Sequence, residues 1–189
     1  MDWLNIKMIG NKDRLRYVLS KPGKNVLFVI GVNPSTANEE KPDPTMRKVM
    51  SFAEVNGFDG FVMLNLYPQR CADPDNLHQE IRKHYLKKNL DHIHDQVLAY
   101  IRKQGKVTIL AGWGNLIEKR DYLKEIVGVL YLMLNSEDFK GKVEWKMIRL
   151  SKNENPIHPL TFKEKYGPFK DFDMGLYSAK VVTDLVPKK

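Results

Sequence analysis

The chain has 189 residues, 42% hydrophobic and 29% charged, a length and balance that suit one folded domain with a real core and exclude a disordered or fibrous polymer. Its 31 Lys+Arg against 23 Asp+Glu leave a formal charge of +8, which favours polyanionic partners, nucleic acid first; the alternative is lysine used for solubility along the whole chain. A single cysteine, Cys71, excludes an internal disulfide, no apolar run reaches membrane-spanning length, and the charged N-terminal stretch has no signal-peptide core, so the expectation is a cytoplasmic protein with no membrane contact.

Arg14 to Leu19 reads as a first short strand, followed by the turn Lys21-Pro22-Gly23. Val26 to Val32 is the first clear buried strand, β-branched, aromatic and continuous. It opens into Asn33-Pro34-Ser35-Thr36. Asp43 then suits an N-cap, with Pro44 at the first helical position, and the helix it starts carries Met46, Val49, Met50 and Ala53 on one face before stopping at Gly57. Phe61 to Leu66 is a second buried strand, leading to a loop with Arg70 and the start signal Asp73-Pro74. A long helical stretch to about Gln104 follows, expected to break near Tyr85 to Asn89. Val107 to Ala111 is a third strand, closed by Gly112-Trp113-Gly114-Asn115, and a helix runs from about Leu116 to Asn135. Glu144 to Leu150 is a fourth strand that leads to His158-Pro159-Leu160. The tail from Thr161 adds a short helix or edge strand held by Phe162, Tyr166, Phe169, Phe172 and Tyr177. The alternation predicts an α/β fold: one domain over 1–189, with a core at about 14–160 and a C-terminal extension, 161–189, packed on it.

Strands that run parallel deliver their exit loops to one edge, where open α/β sheets bind ligands. That edge gathers amides (Asn33, Asn65), hydroxyls (Ser35, Thr36), an aromatic plate (Trp113) and an imidazole (His158), with Pro34 shaping the first loop. No carboxylate pair, Walker motif, dinucleotide fingerprint or metal-ligand spacing is present, so no cofactor and no metal are expected. An amide presents a donor and an acceptor to the edge of a nucleobase. An aromatic ring can stack on it. A histidine can donate to an oxygen on which charge builds. Arg47 and Arg70 are candidates for phosphate contact. Asp43 reads as a cap rather than a general base. The alternative structural roles are a strand-end cap for Asn65, core filling for Trp113 and a backbone bond for His158.

The motifs NPSTA (Asn33 to Ala37), DPTMR (Asp43 to Arg47), NLY with Arg70 and Asp73-Pro74, GWG (Gly112 to Gly114) and HPL (His158 to Leu160) together resemble a bacterial and phage family of unknown function, over about Arg14 to Leu160. GVNPS at Gly31 to Ser35 is also similar to the Gly-hydrophobic-Asn-Pro-Gly motif of mismatch-specific and single-strand-selective uracil-DNA glycosylases. That distant resemblance implies a three-layer α/β/α sandwich with a short, mainly parallel sheet. It implies that Asn33 positions a catalytic water, that Asn65 reads the base, and that His158 stabilises the departing base. Ser35 and Leu160 depart from the pattern, which has Gly and Ser there. The expected function is recognition of a nucleobase in DNA or a nucleotide with hydrolysis of its N-glycosidic bond. The alternatives are a non-catalytic nucleic-acid or nucleotide-binding module, or a small-molecule hydrolase or transferase using Ser35 or Thr36.

Overall fold

In the computed structural model, residues 1–11, 13–163 and 167–185 are described. Seven strands form one sheet: Lys7–Gly10 (β1), Arg16–Lys21 (β2), Val26–Gly31 (β3), Gly60–Asn65 (β4), Val107–Ala111 (β5), Val143–Met147 (β6) and Lys170–Asp171 (β7). Their order is β1-β2-β4-β3-β5-β6-β7. The middle strand is β3, buried at every position, as its unbroken apolar run requires of a strand covered on both faces.

Four of the five strands read from the sequence, β3 to β6, pair in parallel: β4 with β3, β3 with β5, and β5 with β6; the fifth, read at Arg14 to Leu19, is β2. The flanking pairs β1·β2, β2·β4 and β6·β7 are antiparallel. The sheet is therefore mixed rather than mainly parallel. The reason lies in the connections: Lys21-Pro22-Gly23 is too short for a crossover, so β2 must run opposite to β3 and β4. β1, which the sequence pattern did not mark, is largely exposed and lies at the sheet edge.

Four helices cover the two faces. Pro44–Val55 (α1) packs Met46, Val49, Phe52 and Ala53 against Leu27, Val29, Phe61 and Met63 on one face. Each fully buried Val, Leu, Phe or Met side chain among these contributes about 1.5–3 kcal/mol. Lys83–Gln104 (α2) and Asp121–Leu134 (α3) cover the opposite face, with Ile93, Val97, Ile126 and Leu130 against Phe28, Ile30 and Ile109. Met174–Thr183 (α4) lies against α3, with Tyr177 and Val181 buried in the same core, so the C-terminal segment supplies both a short edge strand and a helix, where the sequence offered one or the other. Tyr166, expected in that packing, lies outside the described residues.

α2 is unbroken, contrary to the expected interruption near Tyr85 to Asn89. Asn89 reads as a breaker in sequence, but it is fully buried and ties the helix to the end of β4, donating from Nδ2 to the carbonyls of Asn65 (2.8 Å) and Leu66 (3.1 Å). The helix expected from Leu116 instead begins as a 3-10 turn, Gly114–Lys119, before α3 starts at Asp121. No helix among the described residues is long and apolar enough to cross a membrane.

β3 leads into α1 on one face, and β5 leads into α3 on the other. The exit loops therefore part between β3 and β5, the switch point where sheets of this kind hold ligands.

Candidate functional site

A cavity of about 340 Å³ opens at that edge, on the α1 face. The loop after β3 contributes Asn33 and Ser35, the loop after β4 contributes Cys71 and Pro74, the start of α1 contributes Asp43 and Thr45, and the segment after β6 contributes His158 and Leu160. Met46, Met63 and Leu116 line it as well, so its apolar walls are aliphatic and thioether rather than aromatic.

Local geometry fixes each group. Asn33 donates from Nδ2 to the carbonyls of Cys71 (2.8 Å) and Pro34 (3.0 Å), which clips the loop after β3 to the loop after β4. Its Oδ1 is the group left for a ligand or a water. Asp43 caps α1 as the sequence predicts, accepting from Met46 N (2.8 Å) through one oxygen and from Ala37 N (3.3 Å) through the other.

His158 is positioned by the GWG turn. Gly112 N donates to Ile30 O and Gly114 N donates to Pro156 O, each at 2.9 Å. A side chain on Gly112 would meet Pro159 at 3.0 Å, and one on Gly114, whose φ is +63°, would meet His158 Cβ at 3.0 Å. Glycine at both positions lets the His158-Pro159 turn lie directly on the end of β5. His158 Nδ1 accepts from Leu160 N at 3.2 Å, so in a neutral ring the proton sits on Nε2. Burial lowers the imidazole from 6.5 to about 4, against the opposite pull of the Asp43 carboxylate, so the ring is a neutral donor at physiological pH.

The sequence did not single out Arg16, yet it lines this cavity and is 2% exposed. Its Nη1 donates to Ala37 O at 2.9 Å, and its Nε has no partner among the described residues. Burial lowers its pKa to about 10, with Asp43 opposing and Arg70 reinforcing the shift, so the guanidinium remains charged. A strand-borne arginine two residues from Arg14 gives no local signal. Its place at the site follows from β2 running antiparallel, so that its beginning meets the ends of β3 and β4.

The other sequence candidates fall in different places. Asn65 does not line the cavity: it is fully buried, with its Oδ1 and the Met63 methyl both crowding Gly31, and neither amide atom has a partner among the described residues. Pro34 is buried in the same loop as Asn33, and its carbonyl accepts from Cys71 N at 2.8 Å. Thr36 is exposed, and its carbonyl accepts from Arg70 Nη2 at 3.1 Å. Arg47 is exposed on the first turn of α1, outside the lining. Trp113 is wholly buried in the opposite core, where its Nε1 donates to Tyr177 Oη at 3.0 Å and its ring meets Trp145, Phe172 and Tyr177, so it presents no face to a ligand. Cys71 lines the cavity, but burial raises its thiol, which leaves it protonated. No cluster of His, Cys, Asp or Glu among the described residues could hold a metal ion.

A family model described as "Protein of unknown function (DUF1643)" matches residues 16–160, and these span β2 through the His158-Pro159-Leu160 turn. No curated protein matches the chain, and no solved structure does.

Proposed function

The chain belongs to this family of unknown function, and from the site itself we propose that it recognises a nucleobase at the strand-end cavity and hydrolyses its N-glycosidic bond, as a glycosylase-like domain does. The observation that carries the reading is the meeting of Asn33 and His158, from loops far apart in the chain, on one cavity with the imidazole held neutral. The distant resemblance to uracil-DNA glycosylases assigns water positioning and base stabilisation to these two residues. One orphaned buried group supports a polar ligand, namely Arg16 Nε in the cavity wall. A buried polar group left unpaired costs about 1–3 kcal/mol, a cost proteins commonly carry where a ligand completes the bond.

In this reading Asn33 Oδ1 accepts from a water and aims its oxygen at the anomeric carbon. The carbon–nitrogen bond breaks, its electron pair leaves with the base, and the water's proton ends on that base. His158 Nε2–H donates to the base oxygen where the charge collects, and a neutral donor suits that task because it loses no proton.

A second reading, recognition without turnover, is favoured by the engagement of the Asn33 amide nitrogen with two carbonyls, which leaves one group to manage water. Base release from single-stranded and mismatched oligonucleotides decides between them. The first reading expects release from at least one base, falling about 100-fold in His158→Gln. Binding without release favours the second, and neither binding nor release of any base, modified bases included, overturns both.

A further inference from the structure

A second hollow, of about 330 Å³, lies across the wall from the cavity. The wall is a short antiparallel ladder: Leu15 bridges Gln69, Arg16 N donates to Pro68 O (3.0 Å), and Arg70 N donates to Arg14 O (2.8 Å). Neighbouring residues on this ladder divide between the two spaces: Leu15 and Arg70 line the hollow, and the next residues, Arg16 and Cys71, line the cavity. Successive Cα atoms are about 3.8 Å apart, so the two spaces are separated by one thickness of backbone.

The hollow is cationic. Arg14, Arg70 and Arg82 line it together with His78, against one acid, Asp13. Among the described residues none of the three guanidinium groups has a carboxylate within ion-pair distance; the ion pairs there are made by lysines, a histidine and the N-terminus. Arg70 is anchored to the carbonyls of Thr36 (3.1 Å) and Ala37 (3.2 Å). Ala37 O also receives Arg16, so one carbonyl joins the two spaces. Arg82 lies 5.9 Å from the centre of the Tyr85 ring, which orders it without neutralising it. The same cation holds down the imidazole of His78, after burial, so the local field there is positive. Unpaired guanidinium groups around a polar hollow, with an aromatic ring beside them, match the oxygens of phosphodiesters.

We infer that this hollow binds the phosphates of a nucleic-acid strand whose base occupies the neighbouring cavity, so that the ligand is a polynucleotide rather than a free nucleoside. The inference rests on the nucleobase reading of the cavity. A strand crossing the Leu15–Arg16 and Pro68–Arg70 ladder places a phosphate on Arg14 and Arg82 while the base turns over the wall to Arg16 and His158.

The test measures binding of three probes by fluorescence anisotropy or calorimetry: short mixed-sequence single-stranded DNA, the same strand lacking its bases, and the free nucleosides. Wild type is compared with Arg14→Gln/Arg82→Gln, in which both altered side chains are exposed, and with Arg14→Lys/Arg82→Lys, which keeps the charge. The glutamine pair is expected to weaken DNA binding about 10- to 100-fold. It should also flatten the dependence of log affinity on log salt by about 0.7 per lost contact. Nucleoside binding should be unchanged, and the lysine pair should recover part of the DNA affinity. DNA binding equal to wild type with the same salt slope overturns the inference, as does equal competition by a polyglutamate, which would mark a general anion surface. If the base-free strand binds as tightly as DNA and loses that binding in the glutamine pair, the hollow stands and the nucleobase reading falls. If nucleosides bind but DNA binds no better and ignores the substitutions, the nucleobase reading stands and the hollow falls.

Discussion

His158 is a weak base because of where it sits. Its ordinary value of 6.5 falls to about 4 through loss of water around the ring. A group more easily protonated when unfolded takes up protons in the unfolded chain first, so stability falls as the pH falls across that interval. The contribution is fully present above about pH 6.5 and is lost as pH drops toward 4, by up to about 3 kcal/mol. His78 and His92 are lowered as well, by burial first, so the difference between wild type and His158→Gln isolates the residue. Urea unfolding at several pH values between 4 and 7 should show a shallower decline in the variant; parallel curves would contradict it. Asn33 carries a separate load. Asn33→Ala removes the clip between the loops after β3 and β4, and it should cost about 1–3 kcal/mol, read as a lower thermal midpoint. An unchanged midpoint would show that the two loops hold together without it.

Elements with a complete local signature could be read from the sequence, and those fixed by distant partners could not. β3 announces itself by six apolar or small residues in a row, and α1 by Asp43-Pro44 followed by a three-four spacing. The continuity of α2 was hidden, because only the end of β4 explains a buried Asn89. At the site, Asn33, Ser35 and His158 could be read from strand-exit chemistry. Arg16 could not, since its place depends on the pairing of β2 with β4. Trp113 shows the opposite error, as a strand-end aromatic that resembles a stacking plate but turns inward. It belongs to a chain of bonds running from the core to the surface, in which Trp113 Nε1 donates to Tyr177 Oη, which donates to Asn155 Oδ1 (2.7 Å), while Asn155 Nδ2 donates to the exposed Glu118 at Oε1 (2.6 Å). Trp113→Phe should therefore cost about 1–2 kcal/mol of stability and leave nucleoside affinity unchanged. A loss of affinity at constant stability would return the ring to the site.

At the level of the molecule, the fold extends past the part that matches the family. Residues 16–160 are matched, but Tyr177 and Val181 of α4 close the core over Trp113 and α3. Ending the chain at residue 167 removes those side chains and leaves Trp113 Nε1 unpaired in an opened core, so the shortened protein should lose its cooperative unfolding transition. A sharp transition like that of the full chain would show α4 to be dispensable. On the proposed reading, the charge of +8 and the arginines of the hollow would act together to draw a polyanion to this edge. The central claim is that a nucleobase enters that cavity and accepts a hydrogen bond from His158 Nε2–H. Nitrogen-15 NMR of histidine-labelled protein, titrated with free bases and nucleosides, reads this atom directly. A saturable shift of the His158 Nε2–H signal, with His78, His84, His92 and His94 unmoved, is the predicted result. No shift with any purine or pyrimidine, or shifts confined to the other four histidines, would contradict it.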